Sequence, residues 1–139
     1  MQNGQHIRSA FDKALEGIQA NMLKMGGLVE ANIISAAKAL EERDVELAEK
    51  VRERDRQIDN LEELINDGIS RFIAQESPVA TDLRVLLSIL KVSNNLERIG
   101  DHAKNTAKRT HVLLHLKDIE NSQAALRRLS KDAVSYTHL

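Results

Sequence analysis

The chain has 139 residues and a formal net charge of -1, which fits one compact domain and excludes the basic excess of a general nucleic-acid binder. Its aromatic residues are Phe11, Phe72 and Tyr136, and cysteine is absent. The core must therefore be made of Leu, Ile, Val, Met and Ala, as in close helix packing, and disulfides and thiolate metal sites are excluded.

One proline and six glycines leave few places to turn, so the elements are few and long. No apolar run is long enough to span a bilayer, and no apolar leader opens the sequence. The first predicted helix runs from about Ile7 to Glu42. It carries Phe11, Leu15, Ile18, Met22, Met25, Val29, Ile33, Ala36 and Leu40 in steps of three and four, the stripe of an amphipathic helix. Gly26-Gly27 interrupts it and reads as a kink or a close approach of a neighbouring helix. Asp44 is a good N-cap for a second helix bearing Leu47, Val51, Ile58, Ile65, Ile69 and Phe72.

Gln75-Glu76-Ser77-Pro78 is the next break, with Ser77 as N-cap and Pro78 at the first helical position. The third helix is predicted to reach about Leu116. One face carries Leu83, Leu86, Leu87 and Leu90. The opposite face, Ile89, Val92, Leu96, Ile99 and Ala103, is also apolar, which predicts cover on two sides. A fourth helix is expected from about Asp118, with Ser122, Leu126, Leu129 and Ala133 on one face. Ser135-Tyr136-Thr137-His138-Leu139 continues no periodic pattern, which reads as a truncated chain or a non-native tail. The expectation is an all-α, up-down-up bundle of three antiparallel helices over 1–116, with a partial fourth helix over 117–139.

The chemistry lies in two acidic lines. The leucine face of the third helix continues at 100° per residue through Asn94, Glu97, Asp101 and Asn105. On the second helix, Asp55 stands where the apolar stripe calls for a hydrophobe, and Asp59, Glu62 and Asn66 lie within about 60° of that line. Asp55/Asp59 and Glu97/Asp101 are i, i+4 pairs, so like charges stand one turn apart. Solvent, protons, basic partners or metal ions must neutralise them. An all-oxygen ligand set suits Mg²⁺, Mn²⁺ and Ca²⁺, and carboxylate-rich clusters also hold iron. The plain alternative is a solvated acidic groove.

No histidine follows an acidic residue by three, which argues against a ferritin-like di-iron oxidase. His102 points roughly 120° away from the Glu97–Asp101 line. His111 and His115 read as solvated complements of a helix C-terminus. The run Lys50, Arg52, Arg54, Arg56 alternates with acids as a solvated face does. No phosphate loop or nucleophile elbow is present.

Pro78-Val79-Ala80-Thr81-Asp82-Leu83-Arg84, Leu90-Lys91-Val92 and Leu96-Glu97-Arg98-Ile99-Gly100-Asp101 closely resemble the PhoU family of phosphate-uptake regulators. Asp55-Arg56-Gln57-Ile58-Asp59-Asn60-Leu61-Glu62 matches the family's other acidic segment, and the resemblance covers about residues 7–134. It implies an all-helical protein of tandem three-helix units, of which this chain holds one and the first helix of another. It implies a multinuclear metal cluster, iron or zinc, on two acidic motifs: Asp55 with Asp59, and Glu97 with Asp101, with Glu62 and Asn105 as further ligands. It also implies a cytoplasmic, non-enzymatic negative regulator of the phosphate regulon. Such a regulator meets the membrane through the phosphate ABC transporter and a phosphate-sensing histidine kinase. A single unit leaves a face for a homodimer or higher oligomer. The competing readings are a carboxylate-bridged metalloenzyme and a plain helical interaction module whose acidic groove meets a basic partner.

Overall fold

The computed structural model describes residues 2–137, with side chains described for residues 9–134. It contains three helices: α1 (Gln2–Glu42), α2 (Val45–Glu76) and α3 (Ala80–Thr137). His138 and Leu139 of the unpatterned tail lie outside the described residues.

Two residues join α1 to α2. Arg43 takes a left-handed φ of 55°, and the Asp44 amide donates to the Ala39 carbonyl at 2.9 Å, closing α1 with the six-to-one bond of a Schellman turn. Asp44 then caps α2 as the sequence predicts, its carboxylate accepting from the Leu47 amide at 3.1 Å. So short a link forces α1 and α2 to run antiparallel. Asn32 Nδ2 donates to the Val51 carbonyl at 3.0 Å, Arg54 donates to Ser35 Oγ, and the Phe11 and Phe72 rings meet edge-on at 5.5 Å. α3 returns antiparallel to α2 and parallel to α1, where Ser93 Oγ approaches Met25 Sδ at 3.9 Å. The up-down-up order is as expected.

The core falls into two parts. One holds Phe11, Ile18, Met25, Val29, Ile58, Leu61, Ile65, Ile69, Phe72 and Leu86. The other, towards the α1–α2 turn, is nearly all alanine: Ala36, Ala39, Ala48, Ala103 and Ala107 around Val51. Small side chains there let the three backbones approach closely, because helix separation follows the size of the residues at the contact.

The structure corrects the sequence reading in several places. Ser77 does not cap α3. It ends α2 in a left-handed conformation, φ 43°, whereas an N-cap needs an extended backbone. The first bond of α3 runs from the Leu83 amide to the Val79 carbonyl, so Pro78 precedes the helix. Gly26 and Gly27 mark no close approach, since a Cβ on either would meet nothing within 4 Å. α1 passes through them unbroken.

The turn expected near Leu116–Asp118 is absent, and α3 continues as one helix to Thr137. Neither glycine nor proline occurs after Gly100, so nothing in the backbone interrupts the helix. Every side chain from His115 to Val134 is exposed. The second apolar face of α3 is not covered throughout, because Val92 and Ile99 are exposed. Among the described residues, no helix is long and apolar enough to cross a membrane.

Candidate metal centre at the seam of helices 2 and 3

The side of α3 that enters the bundle carries Leu86, Ser93, Gly100, Ala103, Ala107 and Thr110, all buried. From Ser93 onward these residues are small, three, four or seven apart, and let α3 come close to α2. Gly100 is central. A Cβ there would lie 3.5 Å from Ile58 Cδ1 and 3.7 Å from Asp55 Oδ1, so the Asp55 carboxylate sits over the Gly100 backbone. Asp55 occupies a core position of α2, between Val51 and Ile58, and is 4% exposed.

The other acids flank it along the same seam. Asp59 and Asp101 are exposed, while Glu62 and Glu97 are half-buried. Their charges show in the proton affinities of Glu97, Asp59 and Glu62. The Glu97 carboxyl is raised above its ordinary range, first by desolvation and then by Asp59, Asp101 and Asp55, with Lys104 acting in the opposite direction. Desolvation and the Asp55 carboxylate raise Asp59, and desolvation and Glu97 raise Glu62. Asp55, Asp59, Glu62, Glu97 and Asp101 thus lie near enough along the seam of α2 and α3 to act on one another electrostatically. Asn105 stands exposed a turn beyond Asp101.

Sequence reasoning missed the basic member of this group. Lys104 Nζ lies 3.4 Å from Asp55 Oδ2 and 3.8 Å from Asp101 Oδ1. The signal was its i, i+3 spacing from Asp101, a distance at which opposite charges on a helix meet. His102 is on the other side of α3, in a groove with Ile33, Ala36 and Ile99, in keeping with its exclusion from the acidic line. His111 departs from expectation. α3 continues 26 residues past it, so no helix end is near for it to complement. Its Nε2 instead stands 3.0 Å from Glu49 Oε1 of α2. His115 is exposed.

Among the described residues, no three His, Asp or Glu side chains converge closely enough to hold an ion as they stand. The donor chemistry nevertheless fits a hard cation. The donors are all oxygen, and the carboxylates outnumber the ammonium that offsets them. Two buried oxygens of α2, Glu62 Oε2 and Asn66 Oδ1, have no hydrogen-bond partner. A buried acceptor without a donor is costly, and an oxygen-seeking cation is one group that satisfies it. The cleft of about 360 Å³ bordered by Lys13, Gly17, Gly68 and Arg71 contains none of these carboxylates.

The chain is thus of the all-α class, a long three-helix bundle with a line of carboxylates along the seam of α2 and α3. The comparisons identify the class further. The sequence model of the PhoU domain matches residues 22–110, and the chain belongs to the PhoU domain family.

Among its relatives is the phosphate-specific transport system accessory protein PhoU homolog of Pseudomonas putida. The two are 44% identical over 104 residues, covering 75% of this chain and 41% of the relative. The homolog of the same name from a Burkholderia species is 36% identical over 139 aligned residues, covering 96% of this chain and 57% of the relative. The crystal structure of PhoU from Pseudomonas aeruginosa superposes with a TM-score of 0.69 at 43% identity, over 72% of this chain and 48% of that one. The chain thus spans about half the length of the curated relatives it matches.

Proposed function

We propose that this chain is a non-catalytic, metal-binding regulator of phosphate uptake, acting through protein contacts. The observation that carries the proposal is the line of five carboxylates from α2 and α3 along one seam, with Asp55 buried among them. The like charges there repel one another, and multivalent cations would neutralise that repulsion. Asp55, Asp59, Glu97 and Asp101 are the proposed ligands, with Glu62 and Asn105 at the ends. The bound ions supply positive charge that ties α2 to α3 and stiffens the surface they share.

The partner class follows from the names of the relatives, accessory proteins of a phosphate-specific transport system. The proposed partners are the phosphate ABC transporter and the histidine kinase that senses phosphate. The protein would work in the cytoplasm and reach the membrane only through these partners. The same proposal reads the stretch from residue 117 onward as the opening of a second helical repeat. Its support is that every side chain of α3 from Lys117 to Val134 is exposed, Leu126 and Leu129 among them. A second copy of the chain is the proposed cover for that surface.

The test is co-purification of the chain with a detergent-solubilised phosphate transporter, with Mn²⁺ and with chelator. Retention with Mn²⁺ and loss with chelator or with Glu97→Ala/Asp101→Ala is expected. Equal failure to bind under all conditions, by a chain that remains helical and melts cooperatively, would overturn the proposal.

A further inference from the structure

We infer that Lys104 is the seam's built-in counter-cation, and that it sets which ions enter by making them compete with its own charge. The inference rests on the cation binding proposed above and adds a residue and a rule of selectivity to it.

The argument begins with Asp55. Its side chain is only 6% exposed, so it has little water to solvate its charge and needs compensation from within the protein. The ammonium of Lys104 supplies this at 3.4 Å and also reaches Asp101 at 3.8 Å. Lys104 thus bridges the two helices between Asp55 and Asp101, two of the proposed ligands. An ion coordinated by Asp55 and Asp101 has to displace it. Displacement is open to Lys104 because its side chain is 30% exposed and its stem is flexible enough to carry the ammonium back to water. Asp55 has no such freedom, since it is packed over Gly100 and beside Ile58.

The consequence is a charge filter. A monovalent ion that replaces the ammonium leaves the seam's net charge unchanged and must still shed its own water. A divalent ion adds one unit of positive charge among carboxylates that repel one another. The resident lysine therefore holds out sodium and potassium while lowering, without abolishing, affinity for divalent ions.

The experiment is calorimetric titration of the full chain, freed of metal with chelator, using MnCl₂ as the probe. Two buffers of equal ionic strength are compared, one of sodium and one of tetramethylammonium, each at about 0.15 M. Wild type should bind Mn²⁺ equally in both. Lys104→Met should bind it about tenfold more tightly in tetramethylammonium, the scale of one nearby charge at a partly buried site, and should lose much of that gain in sodium. Lys108→Met removes the same charge one turn away on an exposed position and should change affinity by less than about twofold. Lys104→Arg keeps the charge, grips carboxylates with two donors, and should weaken Mn²⁺ binding.

Lys104→Met should also melt at a lower temperature than wild type without metal and show the larger rise when Mn²⁺ is added. If wild type binds Mn²⁺ and Lys104→Met matches it, or matches Lys108→Met, the role of Lys104 is wrong and cation binding stands. If neither wild type nor Lys104→Met binds Mn²⁺, both the inference and the reading beneath it fall. Should Lys104→Met fold poorly, an affinity for Lys104→Arg equal to wild type overturns the role by itself.

Discussion

Neutralising Glu97 should make the metal-free protein more stable, the reverse of what removing a native charge usually does. Glu97→Gln keeps the shape of the side chain and deletes its charge. In the structure that charge acts against Asp59, Asp101 and Asp55 and is favoured only by Lys104. Like-charged neighbours at a helix surface cost about 0.2–0.5 kcal/mol each. The imbalance of repulsive over attractive neighbours thus gives about 0.5–1 kcal/mol, already scaled to partly solvated groups. For a domain of this size the gain corresponds to a melting point about 2–4 °C higher. The assay is thermal unfolding by circular dichroism with chelator present, at low salt and again at about 1 M NaCl, where the screening length falls to about 3 Å. The gain should be largest at low salt and shrink at high salt. An unchanged or lowered melting point at low salt would refute the electrostatic account, as would a gain indifferent to salt.

Further predictions follow from the same seam and from the turn. Burial, and after it the neighbouring carboxylates, hold the carboxyls of Asp59, Glu62 and Glu97 above their ordinary range. In the window above that range the folded state binds more protons than the unfolded state, so the three groups make stability fall as pH rises through it. The metal-free protein should accordingly melt higher as pH is lowered from neutrality towards 4.5, and Glu62→Gln/Glu97→Gln should flatten that slope. Gly100→Ala should stabilise by about 0.5–1 kcal/mol through helix propensity, because its Cβ makes ordinary contacts with Ile58 and Asp55. Gly100→Leu should lose about 1–3 kcal/mol to overpacking and weaken Mn²⁺ binding, both read by denaturant unfolding and titration. Arg43→Gly should raise stability by about 0.5–1 kcal/mol in the same unfolding assay, since it relieves a left-handed backbone at φ 55°.

Much of the fold was legible because its signals are periodic. The stripes on α1 and α2 pointed to Phe11, Ile18, Met25, Val51, Ile58 and Ile65, all of which are buried. Asp55 stood out because it interrupts one of those stripes, and its place in the core explains the interruption. α3 was harder to read. Its buried line runs through Ser93, Gly100 and Thr110, residues that carry no hydrophobic signal, so Val92 and Ile99 attracted attention instead.

The end of α3 was misplaced for a related reason. A fresh apolar face, Ser122, Leu126, Leu129 and Ala133, was read as a new helix from about Asp118, but the chain there has no residue that stops a helix. Lys104 was overlooked because the search for oxygen ligands passed over the cation beside them. The interhelical pairing of Asp55 with Lys104 depends on register, which only the packed helices supply.

The most direct measurement of the central claim is metal content at equilibrium. Wild type and Glu97→Ala/Asp101→Ala are dialysed against the same low concentration of Mn²⁺, and bound metal per chain is found by elemental analysis. The account predicts that wild type retains at least one equivalent, while the double variant, still helical and cooperatively melting, retains none. Equal retention by the two, or none by either, would contradict it.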